Sequence, residues 1–200
     1  WLAPANADVA MSRGALSALL AAGADPGVGV IAPRLITPDG GTQHSVHAFP
    51  TVKLAALFAL GAYRIPRVGE RLCIEGYWDP ARPRRVDWAH GAFLLVRRAA
   101  FEAIGGFDAG QWMYAEDVDL QWRARKAGYH TLYVPSAQVR HAVSAATTAA
   151  FGDERTTRHI TATYEWLLRR RGPVAERAIA LFNLLGALVR WVPAAVLART

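Results

Sequence analysis

Three carboxylates, Glu116, Asp117 and Asp119, fall within four positions directly after Trp112-Met113-Tyr114-Ala115, and an amphipathic helical pattern starts at the same place. No other stretch leaves the fold so little freedom. Free N–H groups and the helix dipole stabilise negative charge in a first turn, so the cluster fixes a helix start. It also gathers groups able to take or give a proton. The plain alternative is N-terminal capping with an Asp119 to Arg123 pair at i, i+4. Upstream, residues 86–98 form a strand-like apolar run that leads into a short helix at 99–104 and the turn Gly105-Gly106-Phe107-Asp108. Downstream, Gly128 ends the acidic helix, and residues 129–134 and 138–141 read as two short strands split by Pro135.

The rest of the chain supplies scaffold. Ser12 is placed to cap a helix that runs to about Ala22, with Leu16, Leu19 and Leu20 on its buried side and Gly23 as its stop. Residues 27–33 form a continuous apolar run suited to a sheet covered on both faces, and Pro38-Asp39-Gly40-Gly41 is a tight turn joining two short strands. His44 and His47 lack an accompanying carboxylate or thiol, so they read as exposed polar residues at a strand edge. Residues 52–60 form a short apolar helix, and 61–85 show little periodicity. In that stretch Tyr77, Trp78 and the basic Arg82, Arg84 and Arg85 suit a sugar face and a lipid phosphate as well as they suit ordinary loop packing. Near the N-terminus, Asn6 and Asp8 sit at i and i+2 on an extended segment. Alternation points both the same way, where they can hold a divalent cation or its water, or else cap the next helix.

At 200 residues and 52% hydrophobic content, the chain is long enough for one domain with an appendage. The single Cys73 excludes an internal disulfide and a thiolate metal cluster, which fits a reducing compartment. A net charge of +7 suits anionic partners: nucleotide phosphates, anionic lipid or nucleic acid.

The ordered motifs GAFLLVRRAAFEAIGGFD, YAEDVDLQWRARKAGY and YVPSAQVRH closely resemble the C-terminal half of glycosyltransferase family 2 enzymes with the GT-A fold, nearest to the rhamnosyl- and galactofuranosyl-type transferases that build bacterial surface polysaccharide. The resemblance covers about residues 1–150. It implies an α/β fold with a GT-A-like mixed sheet flanked by helices, from which the N-terminal nucleotide-binding strands are missing. It also implies a sugar moved from a nucleotide-sugar donor to a hydroxyl of a saccharide or lipid-linked acceptor, by metal-assisted inverting displacement, with no nucleic acid involved. By resemblance, Asp117 is the general base and Glu116 orients the acceptor or supports the base. Asn6 and Asp8 stand where the family carries its phosphate- and metal-binding signature, although Ala7 replaces the usual proline. His141 completes the site for Mg2+ or Mn2+ with Asp8, and Trp112, Tyr114 and His90 face the acceptor. Gln121-Trp122 lacks the spacing of the box found in processive synthases, so processivity is not inferred.

Beyond Ser144 small residues form a linker-like loop to Ala150, and residues 151–200 read as a C-terminal helical appendage. One helix is expected at about 153–171, broken by Gly172-Pro173, and a second at about 174–199. Residues 153–200 hold eight arginines against four acidic residues, and Asn183, Arg190 and Pro193 interrupt the apolar run. That makes an interfacial helix rather than a membrane span, and implies a location in the cytoplasm at the inner face of the cell membrane. Because Asn6-Ala7-Asp8 stands at the extreme N-terminus, the chain reads as a fragment that folds marginally and does not turn over donor unaided. Val28, Val30, Ile31, Leu94 and Leu95 would then be only partly covered, and an open edge would favour self-association or a partner. The competing readings are a non-catalytic fragment of this fold and a basic module for membrane surfaces or polyanions.

Overall fold

In the computed structural model, which describes residues 1–111, 113–142, 152 and 154–197, the chain forms two compact units. One unit comprises Trp1–His47 with Asp79–Thr163, and the other Ala48–Trp78 with Tyr164–Thr200. The segment 48–78 therefore groups with the C-terminal helices rather than with the sheet.

In the first unit β1 (Val9–Met11) leads to α1 (Ala15–Ala22) and β2 (Val28–Ile36), followed by the two-residue β3 (Val46–His47). Helix α1 differs from expectation at its start: Gly14, with φ of 79°, is its N-cap, and Ser12 caps nothing with its side chain. The frame shifts with it, so Ala15 and Leu19 are buried while Leu16 and Leu20 face out. The apolar β2 lies at the centre of a mixed sheet and is covered on both faces, as its unbroken apolar run requires.

In the second unit α2 (Val52–Ala59) is capped by Thr51, whose side chain accepts from Leu54 N at 3.0 Å. A single 3-10 turn at Ala62–Arg64 and α3 (Pro66–Arg71) supply local order in the aperiodic stretch. A Cβ on Gly69 would lie 2.6 Å from the Tyr77 ring, so Tyr77 packs within this unit.

The apolar run at 86–98 is not one strand. The chain makes three short ones, β4 (Arg84–Val86), β5 (Trp88–Ala89) and β6 (Leu95–Val96), before α4 (Arg98–Ala103). One break falls at Asp87 and the other at residues 90–94, where Gly91 N donates to Asp117 of α5 (Glu116–Lys126). Strand β7 (His130–His141) is continuous, although two short strands are expected; it runs parallel to β2 and antiparallel to β1 and β4. Pro135 is accommodated because the β2–β7 register slips between Pro33/Val134 and Arg34/Gln138, and proline is tolerated at such an irregularity.

Helices α6 (Glu154–Arg171) and α7 (Pro173–Leu197) follow, separated at Gly172 with φ of 82°. The linker-like loop expected at 144–150 lies outside the described residues. In the second unit α2 packs on α7, and Gly186 lets the Ala59 backbone approach to within 3.0 Å of where a Cβ would stand.

The expected loss of cover on the sheet is not found. Val28, Val30, Ile31, Leu94 and Leu95 are all buried. Leu2 and Val96 exchange backbone hydrogen bonds of 2.8 and 2.7 Å, Asn6 N donates to Ala92 O, and β1 pairs with β7. A Cβ added at Gly29 of β2 would lie 2.6 Å from the Cβ of Tyr129. Gly29→Ala is therefore expected to lower unfolding free energy by about 1–3 kcal/mol at unchanged m-value in urea. A wild-type midpoint would show that this spacing is not tight.

Candidate functional site

Helix α5 begins abruptly. Tyr114 has φ of 70°, a conformation rare for a residue with a side chain, and Ala115 as N-cap offers no side-chain cap. The acids of the first turn serve the free N–H groups instead. Asp117 Oδ1 accepts from Val118 N at 2.7 Å, and Glu116 Oε2 accepts from Ala115 N at 3.0 Å. The other oxygen of Asp117, Oδ2, accepts from Gly91 N at 2.9 Å. A Cβ at Gly91 would stand 3.2 Å from the Cβ of Asp117, so a glycine suits the approach.

Asn6 and Asp8 are held by the N-terminal segment's pairing with Ala92, and His141 ends β7 beside them. His141 Nε2 lies 3.4 Å from Asp8 Oδ1 and 3.4 Å from Asn6 Nδ2. Its other ring nitrogen donates to Gln43 Oε1 at 2.7 Å. That bond puts the hydrogen on Nδ1 and turns the Nε2 lone pair toward Asp8. Among the described residues no three His, Cys, Asp or Glu side chains gather as a metal-binding group. What the chain offers is one carboxylate, one oriented imidazole and one carboxamide.

These two sets of residues share a cavity of about 580 Å³ within the first unit. Asn6, Asp8 and His141 line one part; Trp88, His90, Tyr114, Glu116 and Asp117 line another. Tyr114 Oη is buried without a hydrogen-bond partner, and its ring meets His159 edge-on at 5.6 Å. Every site residue assigned by the family resemblance except Trp112 therefore borders one space, and Trp112 lies outside the described residues; Tyr77, Trp78 and Arg84 do not line it. Asp119 and Arg123 form the expected i, i+4 pair at 2.7 Å, and Arg123 also donates to Ile104 O. Arg82 and Arg85 pair with Asp79 and Asp25, away from the cavity lining.

Sequence reasoning missed Gln43, Trp88, Thr156 and His159, all of which line the cavity. Trp88 and His90 alternate along one extended segment, a pattern that places them on one face. Nothing local links Thr156 or His159 to the acids, because α6 reaches them only through the tertiary fold. The reading of His44 and His47 as exposed needs correction: both are partly buried, and His47 stacks on Trp88 at 4.7 Å and contacts His90. β3 brings it there by pairing with β5.

Burial moves the ionisable groups toward their neutral forms. Asp117 is pushed up by desolvation against the pull of Gly91 and Val118 N–H, and Glu116 by desolvation and by the neighbouring Asp117 charge. Burial also drops His47 to about 2 and His90 to about 4, with charge repulsion from the other histidines adding to it. A depressed histidine contributes stability that is present above its unfolded value near 6.5 and lost as pH falls through the folded value. The two histidines therefore lower the unfolding midpoint in urea between pH 6.5 and 4, the raised Asp117 and Glu116 oppose them in acid, and His90→Asn should make the slope of midpoint against pH less steep. A slope unchanged in His90→Asn would show that the imidazole is not desolvated.

Comparison with known proteins adds to this geometry. Residues 23–162 match the family model described as "Glycosyltransferase like family 2". The chain is 39% identical over 143 residues to the N-acetylglucosaminyl-diphospho-decaprenol L-rhamnosyltransferase of Mycobacterium tuberculosis, covering 70% of this chain and 46% of that protein. It is 39% identical over 86 residues to rhamnosyltransferase WbbL of Escherichia coli, covering 43% of this chain and 32% of that protein. The pre-mycofactocin glycosyltransferase of Mycobacterium tuberculosis is 32% identical over 138 residues, 68% of this chain and 25% of that protein. The chain thus spans about half the length, or less, of the curated relatives it matches.

Proposed function

The chain belongs to glycosyltransferase family 2, among its rhamnosyltransferase-like members, and on that premise we propose that it carries the catalytic and acceptor-facing part of an inverting transferase that uses a nucleotide-sugar donor. The observation that carries this reading is the meeting, in one cavity, of the partly buried Asp117 and the Asn6, Asp8 and His141 group. An acceptor hydroxyl attacks the anomeric carbon of the donor, its proton passes to Asp117, and the bond from that carbon to the diphosphate oxygen breaks. The nucleoside diphosphate leaves with the electron pair.

Asp117 suits the role of base. Its desolvated carboxyl is a stronger base than one in water, and the Gly91 and Val118 N–H groups fix where its oxygens point. Glu116 stands next to it and orients the incoming hydroxyl. Tyr114, with its unpartnered hydroxyl, and His90 meet the acceptor.

The donor set beside them fits a hard divalent cation such as Mg2+ or Mn2+. Two ligands on an octahedral ion at about 2.1 Å stand about 3 Å apart, close to the 3.4 Å between Asp8 Oδ1 and His141 Nε2. Such ions accept few protein ligands when substrate phosphates fill the remaining positions. When bound, the cation would neutralise charge developing on the leaving diphosphate. Asp8 and His141 would hold it, and Asn6 would turn its carboxamide oxygen toward it.

The acceptor we propose is a saccharide, either free or lipid-linked. No helix among the described residues is long and apolar enough to cross a membrane. α7, however, exposes Leu181, Leu184, Leu185 and Leu188 on one face, with the exposed Arg177 one turn before them. This apolar and basic face favours association with an anionic membrane surface, at the inner face of the cell membrane, where a lipid-linked acceptor would be met. A non-catalytic membrane-surface module would use that face but would have no need of the cavity.

Two experiments on the enzyme that contains this chain test the proposal. Asp117→Asn is expected to lower transfer by about two to four orders of magnitude while donor affinity, measured calorimetrically, survives. Transfer close to wild type would remove Asp117 from the mechanism. Asp8→Ala is expected to abolish activity or raise the Mn2+ concentration needed for it, and full activity of the wild type in excess chelator would overturn the metal assignment.

A further inference from the structure

His47 has no place in the mechanism above, yet it occupies an expensive position. On the paired strands β3 and β5 it stands directly opposite Trp88, and His90 follows two residues along on the same face. The three rings form a triangle: His47 is 4.7 Å from the centroid of each of the other two, and Trp88 and His90 are 5.6 Å apart. Its Nε2 faces Nε2 of His90 at 2.9 Å, a hydrogen-bond distance. His90 is anchored further by its own N–H, which donates to Ser45 O at 2.8 Å.

Two imidazoles facing each other through nitrogen can bond only if one carries the hydrogen and the other does not. With both rings neutral, as their burial dictates, the contact couples the tautomer of one ring to that of the other. Because Nε2 of His90 is committed to His47, Nδ1 is the ring nitrogen of His90 left for a molecule in the cavity, next to Trp88 and one residue from the Gly91 N–H that holds Asp117. A pair kept only for packing would be replaced by apolar rings at little cost, since burying two polar groups for a single mutual bond yields small net stability.

We propose that His47 is a positioning residue that holds His90 in one tautomer and orientation, so that His90 Nδ1 and Trp88 together bind a hydroxyl-bearing face of the sugar acceptor beside Asp117. The proposal rests on the glycosyl-transfer reading for the identity of the ligand. The coupling between the two histidines does not.

Two variants separate positioning from packing. His47→Phe keeps a ring against Trp88 and removes the nitrogen; His47→Gln keeps a polar group at about the same reach and loses the ring. In the enzyme that contains this chain, His47→Phe is expected to raise the acceptor KM about tenfold, the worth of one well-placed hydrogen bond, with donor KM unchanged and kcat much less affected. His47→Gln should recover most of that loss. A packing role predicts the reverse order, with Phe tolerated and Gln damaging, and that result would overturn the proposal. So would an acceptor KM in His47→Phe equal to wild type.

The second measurement needs no turnover. Nitrogen-15 NMR of the imidazoles at neutral pH, on the chain as it stands, should show His90 as a single tautomer in the wild type and a mixture in His47→Phe. A mixture in the wild type would show that His47 does not hold His90 in one tautomer and overturns the proposal. If Asp117→Asn retains full transfer while the tautomer result holds, it is the catalytic reading that fails and not the pairing of the histidines.

Discussion

The side chain of Gln121 holds the site together. Fully buried on α5, it accepts from Ala89 N at 2.8 Å and donates to Ala89 O at 2.7 Å, which satisfies both backbone groups of a strand residue as a neighbouring strand would. It also donates to Asp117 O at 2.9 Å and accepts from the Thr131 hydroxyl of β7 at 3.1 Å. Every polar atom of the amide is occupied in a dry interior, where an unmade bond costs roughly 1–3 kcal/mol. One side chain thereby ties the helix that carries Glu116 and Asp117 to the segment that carries Trp88, His90 and Gly91, and both to the sheet. The 2.9 Å bond from Gly91 N to Asp117 depends on that register.

What the clamp holds in place is electrostatically unfavourable. Two adjacent carboxyls and two adjacent imidazoles are drawn out of water, and burial pushes each toward its neutral form. Tyr114 adds a left-handed backbone and a buried hydroxyl without a partner. Arrangements of this kind persist only where the surroundings over-determine them, and here the surroundings are the mixed sheet and Gln121. Pre-organised, partly desolvated groups of this kind are suited to proton transfer.

The second unit obeys different constraints. Trp166, Leu167 and Ile179 are buried within it, whereas the leucines from 181 to 188 remain in solvent. A helix apolar on nearly all sides is more than its own unit can cover, and arginines at 177 and 190 set its polarity.

How much of this was legible depended on whether the signal was local. The unbroken apolar run of β2, the acidic first turn of α5, the glycines that end helices and the Gly172-Pro173 break all act within a turn or two of chain, so periodicity and backbone chemistry located them. Local rules failed where tertiary context outweighed them. Ser12 lost its cap to Gly14, the run at 86–98 broke into three strands with Gly91 turned to Asp117, and Pro135 shifted the register of a strand without ending it. The sequence by itself determined the family, the mixed sheet and the place of the acidic first turn of α5, since ordered motifs and hydrophobic period are properties of neighbours along the chain. Only the tertiary structure decided that Gln43 orients His141, that Gln121 completes the backbone of β5, and that His47 meets His90. Those partners lie between 32 and 98 residues apart, and no short-range pattern specifies a hydrogen bond that exists only once the sheet has closed.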